Sequence, residues 1–170
     1  GAIMLAYGIM AAVIARERHG IAQKVDISHL GSMMHLQGLN VQAGLNLGQS
    51  VPKYNREDAV NPLWNHYRCG DDKWICLGMV EPDRYWADFC VALGIPEMAS
   101  DPRFCDLAVR SDNAKQAVAI LDERFASKPR DEWMKILKEG GDFIYTVVND
   151  HPDLLHDQQA ILNNYVVDFD

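Results

Sequence analysis

No C-x-x-C pair occurs in this chain, and its four cysteines, Cys69, Cys76, Cys90 and Cys105, stand too far apart for a zinc knuckle or a small disulfide framework. Reduced thiols in a cytoplasmic protein are the expectation. Basic residues are scarce as well, with 16 Lys and Arg against 24 Asp and Glu and a formal net charge of −8. No basic cluster rises above pairs such as Arg16/Arg18 and Lys135/Lys138. The electrostatic footprint for a phosphate backbone is therefore missing, and nucleic acid is not expected as a partner. The chain has no phosphate loop, no dinucleotide fingerprint and no G-x-S-x-G elbow. A long hydrophobic run is lacking too. The apolar stretch from Ala2 to Ala15 is too short to cross a bilayer, follows no basic region and contains Tyr7 and Gly8, so it reads as a buried helix and not as a membrane or signal segment. Internal repeats and low-complexity tracts are absent.

What remains is an ordinary globular composition, 48% hydrophobic and 24% charged over 170 residues. "GAIMLAYGIMAAVIARER" is apolar on nearly every face until Arg16 and predicts a helix that other structure must enclose, ended by His19-Gly20. The β-branched alternation of Gln23 to Ser28 predicts a short strand. From His29 the pattern turns helical again and loosens between Gly44 and Gly48. Helix, strand and helix in succession form an α/β unit that reads as part of something larger. Residues 49–60, polar and interrupted by Pro52, read as a linker.

Beyond the linker, residues 61–170 predict a small α+β domain. It opens with a hairpin, followed by a helix whose first turn holds Pro82 and whose Tyr85, Trp86, Phe89, Cys90 and Leu93 fall at helical spacing. A turn at Asp101–Phe104 leads to a short helix. Ser111 is placed to cap a helix with the stripe Ala114, Ala117, Val118, Leu121 and Phe125. "PRDEWMKILKEG" predicts a further helix closed by Gly140-Gly141, "DFIYTVVN" a strand, and the C-terminal stretch a short helix with a final extended piece.

The span "NHYRCGDDKWICLGMVEP" concentrates His66, Cys69, Asp71, Asp72, Cys76 and Glu81. With Asp71-Asp72 as a two-residue turn, Cys69 faces Trp74 and Tyr67 faces Cys76. That register puts both thiols on one face as diagonal neighbours, about 7–8 Å apart and beyond the usual disulfide Cα range of about 4.4–6.8 Å. His66 then falls on the opposite face, so a metal site is not expected. Asp71 and Asp72 read as turn formers. Glu81 before Pro82 either caps the following helix or faces a cleft. The other histidines, His19, His29, His35, His151 and His156, have no companions at ligand or triad spacing and read as surface or packing residues.

Several stretches together resemble the family III CoA transferases, the family of formyl-CoA transferase, carnitine CoA transferase and α-methylacyl-CoA racemase. "GAIMLAYGIMAAVIARERHGIAQKVDISHLGSM" is similar to the family's G-A-x-x-x-A-x-G-I-x-A-A-L-x-x-R-x-x-T-G-x-G-Q-x-V-D-x-S segment. Gly1, Gly8, Ile9, Ala11, Ala12, Arg16, Gly20, Gln23, Val25, Asp26 and Ser28 fall in register with it. The hairpin and its helix resemble the Y-R-x-x-D-G-x-W-I region. "VVNDHPDLLHDQQ" is similar to V-N-x-x-x-D-L-L-x-D-P-Q, through Val148, Asn149, Asp153, Leu154, Leu155, Asp157 and Gln159. Ala22, Asp72 and Gln158 depart from the family's glycine, glycine and proline. The first two add a Cβ at turns where the family has none.

The resemblance implies a mixed α/β fold. Residues 1–48 correspond to the end of the first half of a Rossmann-like large domain, 49–60 to a linker and 61–170 to the small α+β domain. It also implies an interlocked homodimer whose substrates are an acyl-CoA and a carboxylic acid, with CoA as substrate and no separate cofactor. The nucleophilic aspartate of the family's D-x-x-G-A arrangement would lie before Gly1, so the chain reads as an internal fragment. In racemase members a glutamate in an I-E-P segment supports the active-site histidine, and Val80-Glu81-Pro82 matches that position. The loop Asn61 to Asn65 corresponds to a substrate-facing loop that is glycine-rich in formyl-CoA transferase. With "NPLWN" there, a larger acyl group than oxalate is expected, and Asn61, Trp64 and Asn65 become candidate substrate-binding residues. Trp64 serves equally well as a core residue. The alternatives are α-proton transfer of the racemase kind, and a non-catalytic fragment that folds and self-associates through its first helix.

Overall fold

The computed structural model describes residues 1–50 and 53–167. They divide into two compact units, Gly1–Lys53 and Tyr54–Asp170. The linker reading of 49–60 falls partly on Val51 and Pro52, outside the described residues; Tyr54 onward belongs to the second unit.

In the first unit, α1 (Ala2–His19) ends on Gly20, whose φ of 68° lets its N–H bond the Arg16 carbonyl. Arg16, Arg18 and His19 in the last turn complement the helix dipole. No residue of α1 is buried within this unit, and Ile3, Tyr7 and Met10 are 85%, 68% and 60% exposed. Gly8 lets the following segment lie close, since a Cβ there would stand 2.8 Å from Val25 Cγ1. That segment, Gln23 to Ser28, is not the expected strand: no strand is described in this unit to complete its ladder. Ser28 instead caps α2 (His29–Leu36), its Oγ accepting the Gly31 N–H at 2.9 Å. The helical pattern expected to run on from His29 is broken at Gln37, and α3 (Gly38–Leu47) begins after it.

The second unit is built on a three-stranded antiparallel sheet in the order β1 (His66–Arg68), β2 (Trp74–Leu77), β3 (Tyr145–Val148). His66 pairs with Cys76, Tyr67 with Ile75 and Arg68 with Trp74, one residue away from the register expected of a two-residue turn. The loop holds three residues, Gly70 to Asp72. The Cys69 N–H bonds the Lys73 carbonyl at 2.8 Å, the Asp72 N–H bonds the Cys69 carbonyl at 3.0 Å, and Asp72 takes a φ of 64°. A two-residue turn of the favoured kind needs positive φ at both central positions, whereas the three-residue loop needs it only once, at a residue type that tolerates it. The slip changes the faces. Tyr67, Cys69, Ile75 and Leu77 are buried, and His66, Arg68, Trp74 and Cys76 share the open face. Cys69 and Cys76 therefore lie on opposite faces, and His66 lies opposite Cys76 on the same one.

Six α-helices and two short 3-10 helices, Arg56–Asp58 and His151–Leu155, complete the described part of this unit: the α-helices are α4 (Pro82–Leu93), α5 (Glu97–Ser100), α6 (Leu107–Asp112), α7 (Ala114–Ala126), α8 (Arg130–Gly140) and α9 (Gln158–Leu162). The buried stripes of α4, α7 and α8 meet the inner sheet face. Phe125 stacks on Tyr67 at 5.0 Å, Trp133 lies 5.3 Å from Phe125, and Phe89 meets Phe143 edge-on at 5.5 Å. Ser111 lies inside α6 and caps nothing; Asp106 caps α6, accepting the Val109 N–H at 2.9 Å, and Asn113 holds the N-cap position of α7. The expected final extended piece is turn and bend over 163–167, and residues 168–170 lie outside the described residues.

Candidate functional site

The loop before β1 is fixed by its own side chains. Asn61 Oδ1 accepts the Leu63 N–H at 2.9 Å and Nδ2 donates to the Met79 carbonyl at 2.9 Å. Asn65 is buried: its Nδ2 donates to the Arg56 carbonyl at 3.0 Å and its Oδ1 accepts the Tyr54 hydroxyl at 2.6 Å. The Tyr67 hydroxyl donates to the Pro62 carbonyl at 2.7 Å, and burial pushes its phenol far above the usual range. Arg56 closes the arrangement with a two-pronged bond to Asp122 at 2.8 and 2.7 Å and a third bond to the His66 carbonyl at 3.2 Å. Both loop amides thus bond the protein's own backbone, and Asn65 also the Tyr54 hydroxyl. Trp64 is the side chain the loop presents, 53% exposed between buried Leu63 and Asn65.

Glu81 occupies the N-cap position of α4, is exposed, and makes no side-chain bond to the helix. The first-turn carboxylate that has a partner is Asp83, which accepts from Arg110 Nη2 at 3.0 Å. Arg110 is fully buried, donates through Nε to the Phe104 carbonyl at 3.1 Å, and lies 3.9 Å over the Trp86 ring. Burial lowers its affinity for the proton and Asp83 offsets part of that. The start of α4 is therefore anchored without Glu81. The Glu81 carboxylate is left facing solvent, without a hydrogen bond or ion pair among the described residues.

A recess of about 500 Å³ on the hairpin includes Arg56, Arg68, Trp74 and Asp122. Its charges neutralise one another, through Arg56–Asp122 and through Arg68–Asp72 at 2.8 Å. Among the described residues no group of three His, Cys, Asp or Glu stands close enough to share a metal ion.

Burial pushes the Cys69 thiol up to about 11 and the Cys90 thiol up to about 12. Both stay protonated at neutral pH, and Cys105 is exposed. At pH 8 iodoacetamide is expected to alkylate Cys105 and to leave Cys69 and Cys90 intact until denaturant is added, as peptide mass mapping would show. Because the folded-state values are raised, any stability these thiols contribute is complete below about pH 9 and lost as pH climbs through the folded values.

Of the candidates read from sequence, Asn61, Trp64 and Asn65 come together on one pinned loop. Glu81 follows Val80 at the end of the strand register that the loop joins. Sequence reasoning missed Tyr54, Arg56 and Tyr67, the residues that hold the loop. Tyr54 and Arg56 lay in a stretch with no periodicity, and only the aromatic and the cation in "KYNRED" hinted at anchors.

The family model described as CoA-transferase family III matches residues 1–170. A cinnamoyl-CoA:phenyllactate CoA-transferase of Clostridium sporogenes is 28% identical over 166 residues, 96% of this chain and 40% of its own length. An (R)-2-hydroxy-4-methylpentanoate CoA-transferase of Clostridioides difficile is 26% identical over 164 residues, with the same 96% and 40% coverage. Among solved structures, a CAIB/BAIF family protein from Brucella suis aligns over 92% of this chain and 40% of its own, with a TM-score of 0.78 and 25% identity. The chain thus spans about two fifths of the relatives it matches.

Proposed function

The chain belongs to CoA-transferase family III, and we propose that it is an internal part of an enzyme that moves CoA from an acyl-CoA to an acceptor carboxylic acid. The family match from first residue to last carries this reading. The transferase names of the relatives support it over α-proton transfer.

In the proposed reaction an aspartate carboxylate attacks the acyl thioester carbonyl. The C–S bond breaks, leaving a mixed anhydride and CoA thiolate. The thiolate attacks the aspartyl carbonyl, expels the donor carboxylate and forms an aspartyl-CoA thioester. The acceptor carboxylate then repeats the sequence in reverse, so that the thiolate leaves on the acceptor's acyl group and the aspartate is regenerated. Splitting one transfer into such steps is covalent catalysis, and it needs a carboxylate shielded from water. The D-x-x-G-A resemblance supports a reading in which that aspartate precedes Gly1.

In this reading residues 1–48 end the first half of the large domain, 49–60 form the linker and 61–170 the small domain. Glu81 and the Asn61–Asn65 loop border the substrates, with Trp64 against the acyl group. The apolar surface of α1, open within its own unit, is covered by the rest of the protein or by the second subunit of a homodimer. A cytoplasmic location follows the family. No helix among the described residues is long and apolar enough to cross a membrane.

Trapping tests the covalent step. The complete protein mixed with an acyl-CoA is expected to gain a CoA adduct visible by mass spectrometry. Hydroxylamine should release it and leave a hydroxamate on one aspartate outside residues 1–170. A hydroxamate on Glu81, or no adduct with any acyl-CoA, would contradict the mechanism.

A further inference from the structure

On the open face of the sheet, Trp64 stands in a row with two residues, Gly78 and Ile144, to which the proposed reaction gives no part. The Gly78 N–H donates to the Ile144 carbonyl at 2.8 Å, continuing the β2–β3 register by which Trp74 pairs with Val148 and Leu77 with Tyr145, so Gly78 lies opposite Ile144. On the other side, the Leu77 N–H bonds the Asn65 carbonyl at 2.8 Å and the Met79 N–H bonds the Leu63 carbonyl at 3.0 Å. This continues the β1–β2 register and sets Trp64 opposite Gly78. Leu63, Asn65, Leu77 and Met79 are buried on the inner face, so Trp64, Gly78 and Ile144 form one row across the outer face. Trp64 and Ile144 are 53% and 52% exposed. Between two large apolar side chains stands a residue with none, and two residues beyond it Val80 is exposed as well.

We infer that this notch, floored by Gly78 and walled by Trp64 and Ile144, holds the acyl group of the acyl-CoA and selects a planar or unbranched apolar one. The inference rests on the acyl-CoA reading above. Neighbouring strands are about 4.8 Å apart, so the two walls rise from backbones about 10 Å apart. A carbon slab in van der Waals contact on both sides needs about 3.5–4.0 Å per side, or about 7–8 Å between wall atoms. One aromatic ring or one methylene chain has that thickness, and a branched carbon exceeds it.

The backbones that carry the walls are fixed, the Trp64 loop by the Asn61 and Asn65 bonds and Ile144 by its ladder bond to Gly78. The neighbouring row, His66, Cys76 and Thr146, carries no carboxylate or permanent cation, and the guanidiniums beyond it are both paired, Arg68 with Asp72 and Arg56, 5.8 Å over the Trp74 ring, with Asp122. A Cβ added at Gly78 would stand 3.3 Å from Ile144 Cγ2, so any larger residue fills the notch at once. Width of one side chain and want of charge fit the apolar arm of a small thioester.

The test is calorimetric binding of 3-phenylpropionyl-CoA, pivaloyl-CoA and acetyl-CoA to the complete protein, with CoA transfer measured on the same samples. The wild type is expected to bind phenylpropionyl-CoA at least tenfold more tightly than pivaloyl-CoA. Gly78→Val, Trp64→Ala and Ile144→Ala are each expected to reduce the phenylpropionyl-to-acetyl affinity ratio about tenfold. The two alanine changes lie at exposed positions and serve as the check should Gly78→Val fail to fold. Transfer with an unchanged ratio overturns the notch and leaves the transferase reading intact. Lowered melting temperature or subunit dissociation with an unchanged ratio means that protein covers this face, and likewise overturns it. Failure to bind any of the three esters overturns both.

Discussion

Trp133→Ala is expected to cost the second unit about 3–5 kcal/mol, the range for removing a large buried aromatic. Trp133 is fully buried, lies against Phe125, and donates its indole N–H to the Phe125 carbonyl at 2.8 Å. The change therefore opens a cavity and also takes from the Phe125 carbonyl, at the end of α7, its shortest donor, leaving it the backbone N–H groups of the helix end such as Lys128 at 3.5 Å. The Arg124 and Lys128 cations, 5.5 and 5.9 Å from the ring, lose their aromatic partner as well. Trp133→Phe separates the two effects, because it keeps most of the packing and loses the hydrogen bond, for an expected cost of about 1–3 kcal/mol. Urea unfolding followed by circular dichroism measures both. A loss under 1 kcal/mol for the alanine variant would mean that α8 does not close this core.

The second large effect is on catalysis. Glu81→Gln in the complete protein is expected to lower kcat about a hundredfold, at the low end for loss of a positioned carboxylate, while leaving the melting temperature unchanged. The absence of instability follows from the structure: Glu81 stands at the N-cap but bonds nothing there, and Pro82 and the Asp83–Arg110 pair hold the helix start. A helix-capping role predicts the opposite pattern, a lowered melting temperature with kcat intact. Glu81→Asp is expected to recover part of the activity if the carboxylate acts on substrate, and Asp83→Asn to destabilise without the same loss of turnover.

How far the sequence disclosed this arrangement differs from element to element. Helices α4, α7 and α8 were legible because their apolar residues repeat with the helical period and are the ones the structure buries: Trp86, Phe89 and Leu93, then Ala117, Leu121 and Phe125, then Trp133 and Leu137. The hairpin was legible in kind and misread by one residue. Loop chemistry at Asp72, not the strand pattern, sets the register, and a one-residue slip exchanges the faces. The segment Gln23 to Ser28 has a strand's composition, but pairing is a property of neighbours and the first unit offers none among its described residues. The loop's anchors were hidden for a related reason. Tyr54, Arg56 and Asp122 act through contacts between distant parts of the chain, and no local period marks them. Glu81 drew notice by its place before Pro82, which left helix cap and cleft residue both open, and only the family resemblance made Glu81 and Trp64 candidates for a substrate site.

The proposed activity of the complete protein is exchange of CoA between carboxylates. The most direct measurement incubates it with an unlabelled acyl-CoA and the ¹³C-labelled form of the same acid, and follows label entering the thioester by mass spectrometry. Label is expected in the acyl-CoA at a rate proportional to enzyme, with total thioester conserved. Loss of thioester without label in it would mean hydrolysis, and an unchanged, unlabelled pool with every acid offered would contradict the transferase assignment.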